Sequence, residues 1–177
     1  MIDAATLAEV WDANHARLML IARSIAGQSE VALEDAVQEA FVALARQQEL
    51  PQDPLAWLVR VTRNRILQWH RGNERRQRRE QFAADAAWFE CGEREIQQHL
   101  DGEEVTRALR ALASPEREII VMHLWGDMTF DSIAKVIGGS RASAHRAFQR
   151  GLAVLQQQFA DGTKTDSTKT NSIKIGR

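Results

Sequence analysis

The chain has 177 residues, 44% of them hydrophobic, which is enough for one large domain or two small ones with proper cores. Its formal net charge of −1 neither supports nor excludes nucleic-acid binding, so that argument depends on how the charges are distributed along the chain. Its single cysteine, Cys91, excludes an intramolecular disulfide and a four-cysteine zinc site. Because the N-terminus lacks the basic region of a signal peptide and no apolar run approaches the ~20 residues that span a bilayer, we expect a cytoplasmic protein without membrane insertion.

Long runs of Ala, Leu, Glu, Arg and Gln, with three prolines and no tyrosine, predict an all-α fold. Helical spacing of apolar residues predicts a first helix from about Thr6 to Ala26, which Gly27 ends. A second helix is predicted from about Leu33 to Gln47. Its apolar stripe consists of Leu33, Val37, Ala40, Phe41 and Leu44. The residues that project away from that stripe are Asp35, Gln38, Glu39 and Arg46.

A third helix is predicted to begin at Asp53, as N-cap, and Pro54, and to run to at least Arg71. Its inward stripe consists of Leu55, Leu58, Val59, Thr62, Ile66 and Trp69. Its opposite face carries Trp57, Arg60, Asn64, Gln68 and Arg71.

Eight arginines and one acid lie between residues 60 and 79, a local charge of about +7. Aromatic and amide groups among arginines suit single-stranded DNA, because bases stack on aromatic rings while guanidinium groups follow phosphates. The alternatives are a solvated basic face and tryptophans that pack in the core.

Periodicity weakens between residues 80 and 103, where acidic residues return, and this predicts a linker. Helical pattern resumes at Val105–Leu112. Ser114-Pro115 is predicted to cap a helix from Glu116 to Trp125, and Gly126-Asp127 to turn the chain. After Phe159 the polar, low-complexity tail is expected to be disordered.

The segment from Met128 to Gln156 has two amphipathic runs around Gly138-Gly139, which predicts a helix-turn-helix with Ser140 as the cap of its second helix. The inward residues of the hairpin are Phe130, Ile133, Ala134 and Ile137 in the first helix and Ala144, Phe148, Leu152, Leu155 and Phe159 in the second. The outward residues of the second helix are Ser143, Arg146, Gln149 and Arg150, with Arg141 and His145 on the flank. Such a face suits DNA reading in the major groove; the alternative is a packing hairpin with a solvated basic face.

Three segments in this order resemble the bacterial sigma-70 family, specifically its small extracytoplasmic-function group. They are "ALEDAVQEAFVALAR", "PLAWLVRVTRNRILQWHR" and "LASPEREIIVMHLWGDMTFDSIAKVIGGSRASAHRAFQRGL". The resemblance implies two small helical domains: a bundle resembling sigma region 2 (residues 1–80), a linker (81–103) and a helix-turn-helix domain resembling region 4 (104–160), followed by a tail (161–177). It also implies core RNA polymerase (its β′ coiled coil and β flap) and promoter DNA as partners, and leaves open whether an anti-sigma factor holds the protein inactive.

The resemblance assigns roles to three sets of residues. Asp35, Gln38 and Glu39 would bind the polymerase β′ coiled coil. The −10 element would be opened and held by Trp57, Arg60, Arg63, Asn64, Gln68 and Arg71. The −35 duplex would be read by Arg141, Ser143, His145, Arg146, Gln149 and Arg150. Where many members have Thr-Val-Lys-Ser-Arg in the recognition helix, this chain has Ser-Ala-His-Arg-Ala at 143–147.

These patterns predict a promoter-specificity subunit with no catalysis, metal or cofactor of its own. A stand-alone helix-turn-helix regulator would explain the hairpin but neither the acidic second helix nor the basic third one. A sigma-like interaction protein that has lost promoter reading would explain the altered recognition helix. The sequence does not support an enzymatic function, because the five histidines are scattered and no Gly-rich phosphate loop or nucleophile elbow occurs.

Overall fold

The computed structural model describes the backbone of residues 1–27, 33–73 and 102–169, and the side chains as far as residues 71 and 160 in the last two segments. These segments contain helices and no strand, which confirms the all-α prediction. The helices are α1 (Ala4–Ala26), α2 (Leu33–Ala45), α3 (Pro54–Asn73), α4 (Gly102–Ala111), α5 (Glu116–Leu124), α6 (Phe130–Ile137) and α7 (Arg141–Lys169).

Local signals in the sequence explain where the N-terminal helices begin and end. Asp3 caps α1 by accepting hydrogen bonds from the Thr6 N–H and hydroxyl, and these bonds hold the pKa of the Asp3 carboxyl below its usual value. Gly27 ends α1 at φ +68°, a conformation that favours glycine. The predicted cap of α3 is confirmed, since the Ala56 N–H donates to Asp53 Oδ1 over 2.9 Å.

The three N-terminal helices pack around a common core. Its largest fully buried members include Leu18 and Ile21 of α1, Leu44 of α2 and Leu58 of α3. The predicted inward stripe of α3 is buried from Leu55 to Ile66, whereas Trp69, predicted to face inward, is only half-buried at the edge of the core.

The predicted helical hairpin is formed by α6 and α7, which pack on each other and on α5. Gly138 ends α6 in the left-handed region at φ +78°, and the Ser143 N–H donates to the Ser140 hydroxyl at the start of α7. Gly151 lets α7 approach α5 closely, because a Cβ there would lie 2.6 Å from Ile120 Cδ1.

Two further details differ from the sequence predictions. The helix α7 continues beyond Phe159 to Lys169, into a segment expected to be disordered. No proline interrupts that polar stretch, and an established helix gains one hydrogen bond for each residue added. Ser114 makes no side-chain cap for α5; its hydroxyl instead donates to the Glu118 carboxylate. Residues 74–101, which hold most of the predicted linker and Cys91, lie outside the described residues.

The two halves of the chain also contact each other, through α1 with α5 and α3 with α6. The buried core therefore runs without a break from one half into the other. This arrangement fixes which predicted site residues are accessible and which are covered.

Candidate functional site

The acidic face of α2 is accessible along its length. Asp35, Gln38 and Glu39 are exposed on the side opposite Val37, Ala40 and Phe41, which are buried in the core. Their spacing of three and four residues places them on one helical face. The three residues predicted from the Asp-x-x-Gln-Glu pattern therefore form one contiguous polar surface.

One member of that surface is already paired. Arg65 of α3 faces Glu39 with two nitrogens: Nη2 donates to Oε1 over 2.7 Å, and Nε lies 2.6 Å from Oε2. Both side chains are 40% or more exposed, so solvent screens the pair and it adds little to stability. It ties α2 to α3 and leaves Asp35 as the more available acid.

A groove of about 690 Å³ lies between α2 and α3. Its walls bring together residues that the sequence assigned to two different tasks. The lining residues are Asp35, Ala36, Gln38, Glu39, Val42, Ala43, Arg46, Val61, Asn64, Arg65, Gln68 and Trp69. The predicted polymerase-binding residues and two predicted −10 residues thus share one depression on the bundle.

The groove has apolar as well as charged walls, which the sequence patterns did not reveal. Val42 is 51% exposed and lines the groove from the α2 side. The guanidinium carbon of Arg65 lies 5.3 Å from the centre of the Trp69 ring, a cation–π contact between residues four apart on α3. Only that i, i+4 spacing could have indicated the contact in advance.

The predicted −10 residues divide into three groups. Arg60, Asn64, Gln68 and Arg71 are exposed on α3, as the helical face predicts. Trp57 is half-buried and packs against the core, so it is not the freely exposed ring that its position suggested. Arg63 points to the other half of the molecule, where its Nε donates to Glu118 Oε2 over 2.8 Å.

The helix α7 presents His145, Arg146 and Gln149 to solvent. The His145 and Phe130 rings are perpendicular to each other with 5.0 Å between ring centres, and Phe130 packs in turn against His123 and Phe148. The start of α7 is thereby fixed against α6, which gives Arg146 and Gln149 a rigid base.

The other three predicted −35 residues have partners within the C-terminal half. Ser143 is half-buried and belongs to the cap of α7: it accepts from the Ser140 N–H over 2.9 Å and donates to the Ser140 carbonyl over 2.7 Å. Arg150 donates twice to Glu116 Oε1, over 2.7 and 3.1 Å, and Arg141 Nε lies 3.7 Å from Asp131. These contacts help to position the helix, while the Arg141 and Arg150 side chains stay 72% and 61% exposed beside the exposed Arg146 and Gln149.

None of the described helices is long and apolar enough to cross a membrane. No group of three or more histidine, cysteine or acidic side chains that could hold a metal ion occurs within residues 1–27, 33–73 and 102–169.

The chain matches two family models in the order that the sequence suggested. Residues 10–76 match Sigma-70 region 2, and residues 102–155 match Sigma-70, region 4, so the matches together cover more than half of the chain. No curated protein matches the chain in sequence. Among solved structures, it is similar in fold to the sigma factor RpoE in complex with the anti-sigma factor NepR from Bartonella quintana. That similarity has a TM-score of 0.68 at 21% identity and covers 88% of this chain and 95% of the other.

Proposed function

We propose that this chain, which belongs to the sigma-70 family, acts as a sigma factor of the extracytoplasmic-function group and directs bacterial RNA polymerase to a specific set of promoters. Its N-terminal half would bind core polymerase and hold the opened −10 element. Its C-terminal half would read the −35 element as duplex. The chain would add no catalysis of its own, because selection and melting of DNA need only binding energy.

The observation that carries this proposal is the groove between α2 and α3. Its α2 wall carries Asp35 and Gln38, and its α3 wall carries Asn64 and Gln68. A protein that must sit on polymerase and on melted DNA at once needs these two surfaces side by side on one rigid body. A stand-alone helix-turn-helix regulator would have no use for the pair.

The division of DNA contacts follows from exposure. Arg60 and Arg71 lie on the open face of α3 and would follow the phosphates of the separated strand. Arg146 and Gln149 of α7 would reach base edges of the −35 duplex, since long donors near the start of a recognition helix enter the major groove. Ser143 and Arg150, held by Ser140 and Glu116, would set the position of that helix.

We extend the proposal to two further points. The RpoE structure contains an anti-sigma factor, and an anti-sigma factor is accordingly proposed as a regulatory partner of this chain. A cytoplasmic location is also proposed, because RNA polymerase, the proposed partner, acts on the chromosome.

Polymerase binding is the part of the proposal that mutagenesis can test most sharply. Asp35→Lys should weaken co-purification with core polymerase, because Asp35 is exposed on the groove and has the role that the family pattern gives it. Glu34→Lys is the matched control: it makes the same charge change one residue earlier on α2, at an exposed position outside the groove lining. Helical circular dichroism should be unchanged in both variants. Equal polymerase binding by the two variants would remove the proposed role of the acidic face.

A further inference from the structure

Resting on the proposed function, we infer that His123 of α5 is a positioning residue for −35 reading. It holds the turn into α6 and, through the Phe130 ring, the part of α7 that carries Arg146. Neither the sequence patterns nor the family resemblance gives His123 a role. The histidines are scattered along the sequence, but the structure places His123 and His145 against the same phenylalanine ring.

The first contact of His123 fixes the backbone of the turn between α5 and α6. His123 Nδ1 lies 2.9 Å from the Met128 carbonyl oxygen, and because a carbonyl can only accept, Nδ1 carries a proton and donates it. The Met128 N–H donates to the Met122 carbonyl over 3.1 Å. Both polar groups of the Met128 backbone are therefore bound to the last turn of α5, directly before Thr129, the cap of α6.

The turn needs these bonds, because its backbone conformation is unusual. Asp127 has φ +54°, in the left-handed region that residues other than glycine adopt only occasionally. Met128, the next residue, is only 4% exposed, so its carbonyl needs a partner within the protein. The imidazole of His123 supplies that partner and so helps to fix where α6 begins.

The second set of contacts is an aromatic cluster in which α5, α6 and α7 meet. The aromatic cluster consists of His123, Phe130, His145 and Phe148. The His123 ring stacks on Phe130 of α6, with 4.3 Å between ring centres and 26° between the planes. It is also nearly perpendicular to Phe148 of α7 at 4.9 Å. Phe130 in turn lies 5.4 Å from Phe148 and 5.0 Å from His145. Ring pairs at such separations attract each other beyond the effect of the area they bury.

The aromatic cluster holds α7 on both sides of the residue proposed to read bases. His145 directly precedes Arg146, and Phe148 follows it by two positions. The buried side chains between the rings are Ala144 and Ala147, which are small. The large rings therefore provide most of the contact area that sets the rotation and height of this part of α7, and with them the direction of Arg146.

The selectivity of transcription for the −35 sequence tests the inference. In one reaction with two templates, the ratio of transcripts from the cognate promoter to those from a −35 mutant should fall about fivefold or more in His123→Ala, the lower end of what one base contact contributes. Partial unfolding of a variant lowers both products equally and leaves the ratio unchanged. An unchanged ratio in His123→Ala would overturn the inference.

His15→Ala is the matched control. It removes the same ring from an aromatic stack in the N-terminal half, where His15 lies 4.2 Å from Trp11 with 19° between the planes. Because this stack has no contact with the aromatic cluster in the C-terminal half, the −35 ratio should stay at the wild-type value. A fall as large as in His123→Ala would show a general effect of losing a histidine, which would also overturn the inference.

Three further substitutions separate the two contacts of His123 from simple filling of space. His123→Phe keeps a ring without the donor, and His123→Asn keeps a short donor without the ring, so each should restore part of the ratio that His123→Ala loses. His123→Leu fills space with neither ring nor donor and should resemble His123→Ala. A wild-type ratio in His123→Leu would show that this residue only fills space.

A double variant tests whether His123 acts through Arg146. At the −35 position where Arg146→Ala has lost discrimination, adding His123→Ala should cause no further loss, because the residue that His123 positions is already gone. Residues that act independently would instead give losses that multiply. Multiplied losses in the double variant would overturn the assignment of His123 as a positioning residue for Arg146.

The hydrogen bond can be tested without DNA. Long-range proton–nitrogen NMR of the free chain should show that the neutral His123 ring carries its proton on Nδ1, since that nitrogen donates to the Met128 carbonyl. A proton on Nε2 alone would exclude this bond and overturn the inference. If the wild-type chain gives no transcripts, the proposed function fails and the role in −35 reading fails with it, while the NMR result still reports on the bond itself.

Discussion

Replacement of Arg146 by alanine separates base reading from positioning in the recognition helix. Arg146 is exposed on α7 within the first two turns, where a recognition helix contacts bases. Arg150 lies one turn later and is held by Glu116 through two hydrogen bonds to Oε1. The two side chains are thus chemically identical, but Arg150 is hydrogen-bonded to Glu116 within the protein.

The expected losses of DNA discrimination and of stability follow from the typical energies of the contacts that each arginine makes. An arginine that makes a bidentate contact to a base contributes about 1–3 kcal/mol of discrimination, so Arg146→Ala should reduce the preference for the cognate −35 sequence about 5- to 150-fold. Arg150→Ala loses an exposed ion pair, which is worth less than about 1 kcal/mol in stability. The Arg150→Ala variant should bind all −35 sequences more weakly by about the same factor, and that factor should be smaller than the loss of discrimination in Arg146→Ala.

The assay is transcription by holoenzyme on a promoter series mutated at −35, with a matched series of templates pre-opened at −10. Arg146→Ala should flatten the −35 dependence, and a pre-opened template should not restore it. Arg60→Ala or Asn64→Ala should show the opposite pattern, with activity largely restored on the pre-opened template. Normal discrimination by both Arg146→Ala and Arg150→Ala would mean that the hairpin only packs and that another surface reads the promoter.

The remaining predictions concern stability and domain structure. Leu58→Ala, at a fully buried position in α3, should destabilise the fold by about 2–5 kcal/mol in urea unfolding, and a loss under 1 kcal/mol would contradict the described core. Gly151→Ala should lower the melting temperature, because overpacking against Ile120 costs about 1–3 kcal/mol and outweighs the gain in helix propensity of about 1 kcal/mol; an unchanged or higher value would contradict the close approach of α5 and α7. Limited proteolysis should cut first in the tail and then between residues 80 and 103, and a first cut inside α2 or α3 would contradict the proposed boundary between the domains.

Much of the fold could be predicted because its signals are local. The spacing of Val37, Phe41 and Leu44 predicts the buried side of α2, and Gly27 and Gly138 mark helix ends that need a positive φ. The polar faces of α2 and α7 follow from the same periodicity. Exposure of Asp35 and Arg146 was therefore predictable from sequence.

Contacts between distant residues were not predictable in the same way. Arg63 lies 55 positions before Glu118, and a basic residue in an arginine-rich helix gives no indication of a buried acid in the other half. The half-buried state of Trp57 likewise depends on neighbours from other helices, since helical spacing alone places it on the outer face. Periodicity assigns a side chain to a face, and only the tertiary arrangement decides what covers that face.

Run-off transcription with purified core polymerase tests the central claim most directly. The chain should enable core enzyme to initiate at discrete sites on fragments of its genome, and those sites should share a −10 and a −35 element. The Asp35→Lys variant should lose these transcripts, while the Glu34→Lys variant should keep them. Specific DNA binding by the chain alone, with no transcripts in the presence of core polymerase, would contradict the account and favour a stand-alone helix-turn-helix regulator.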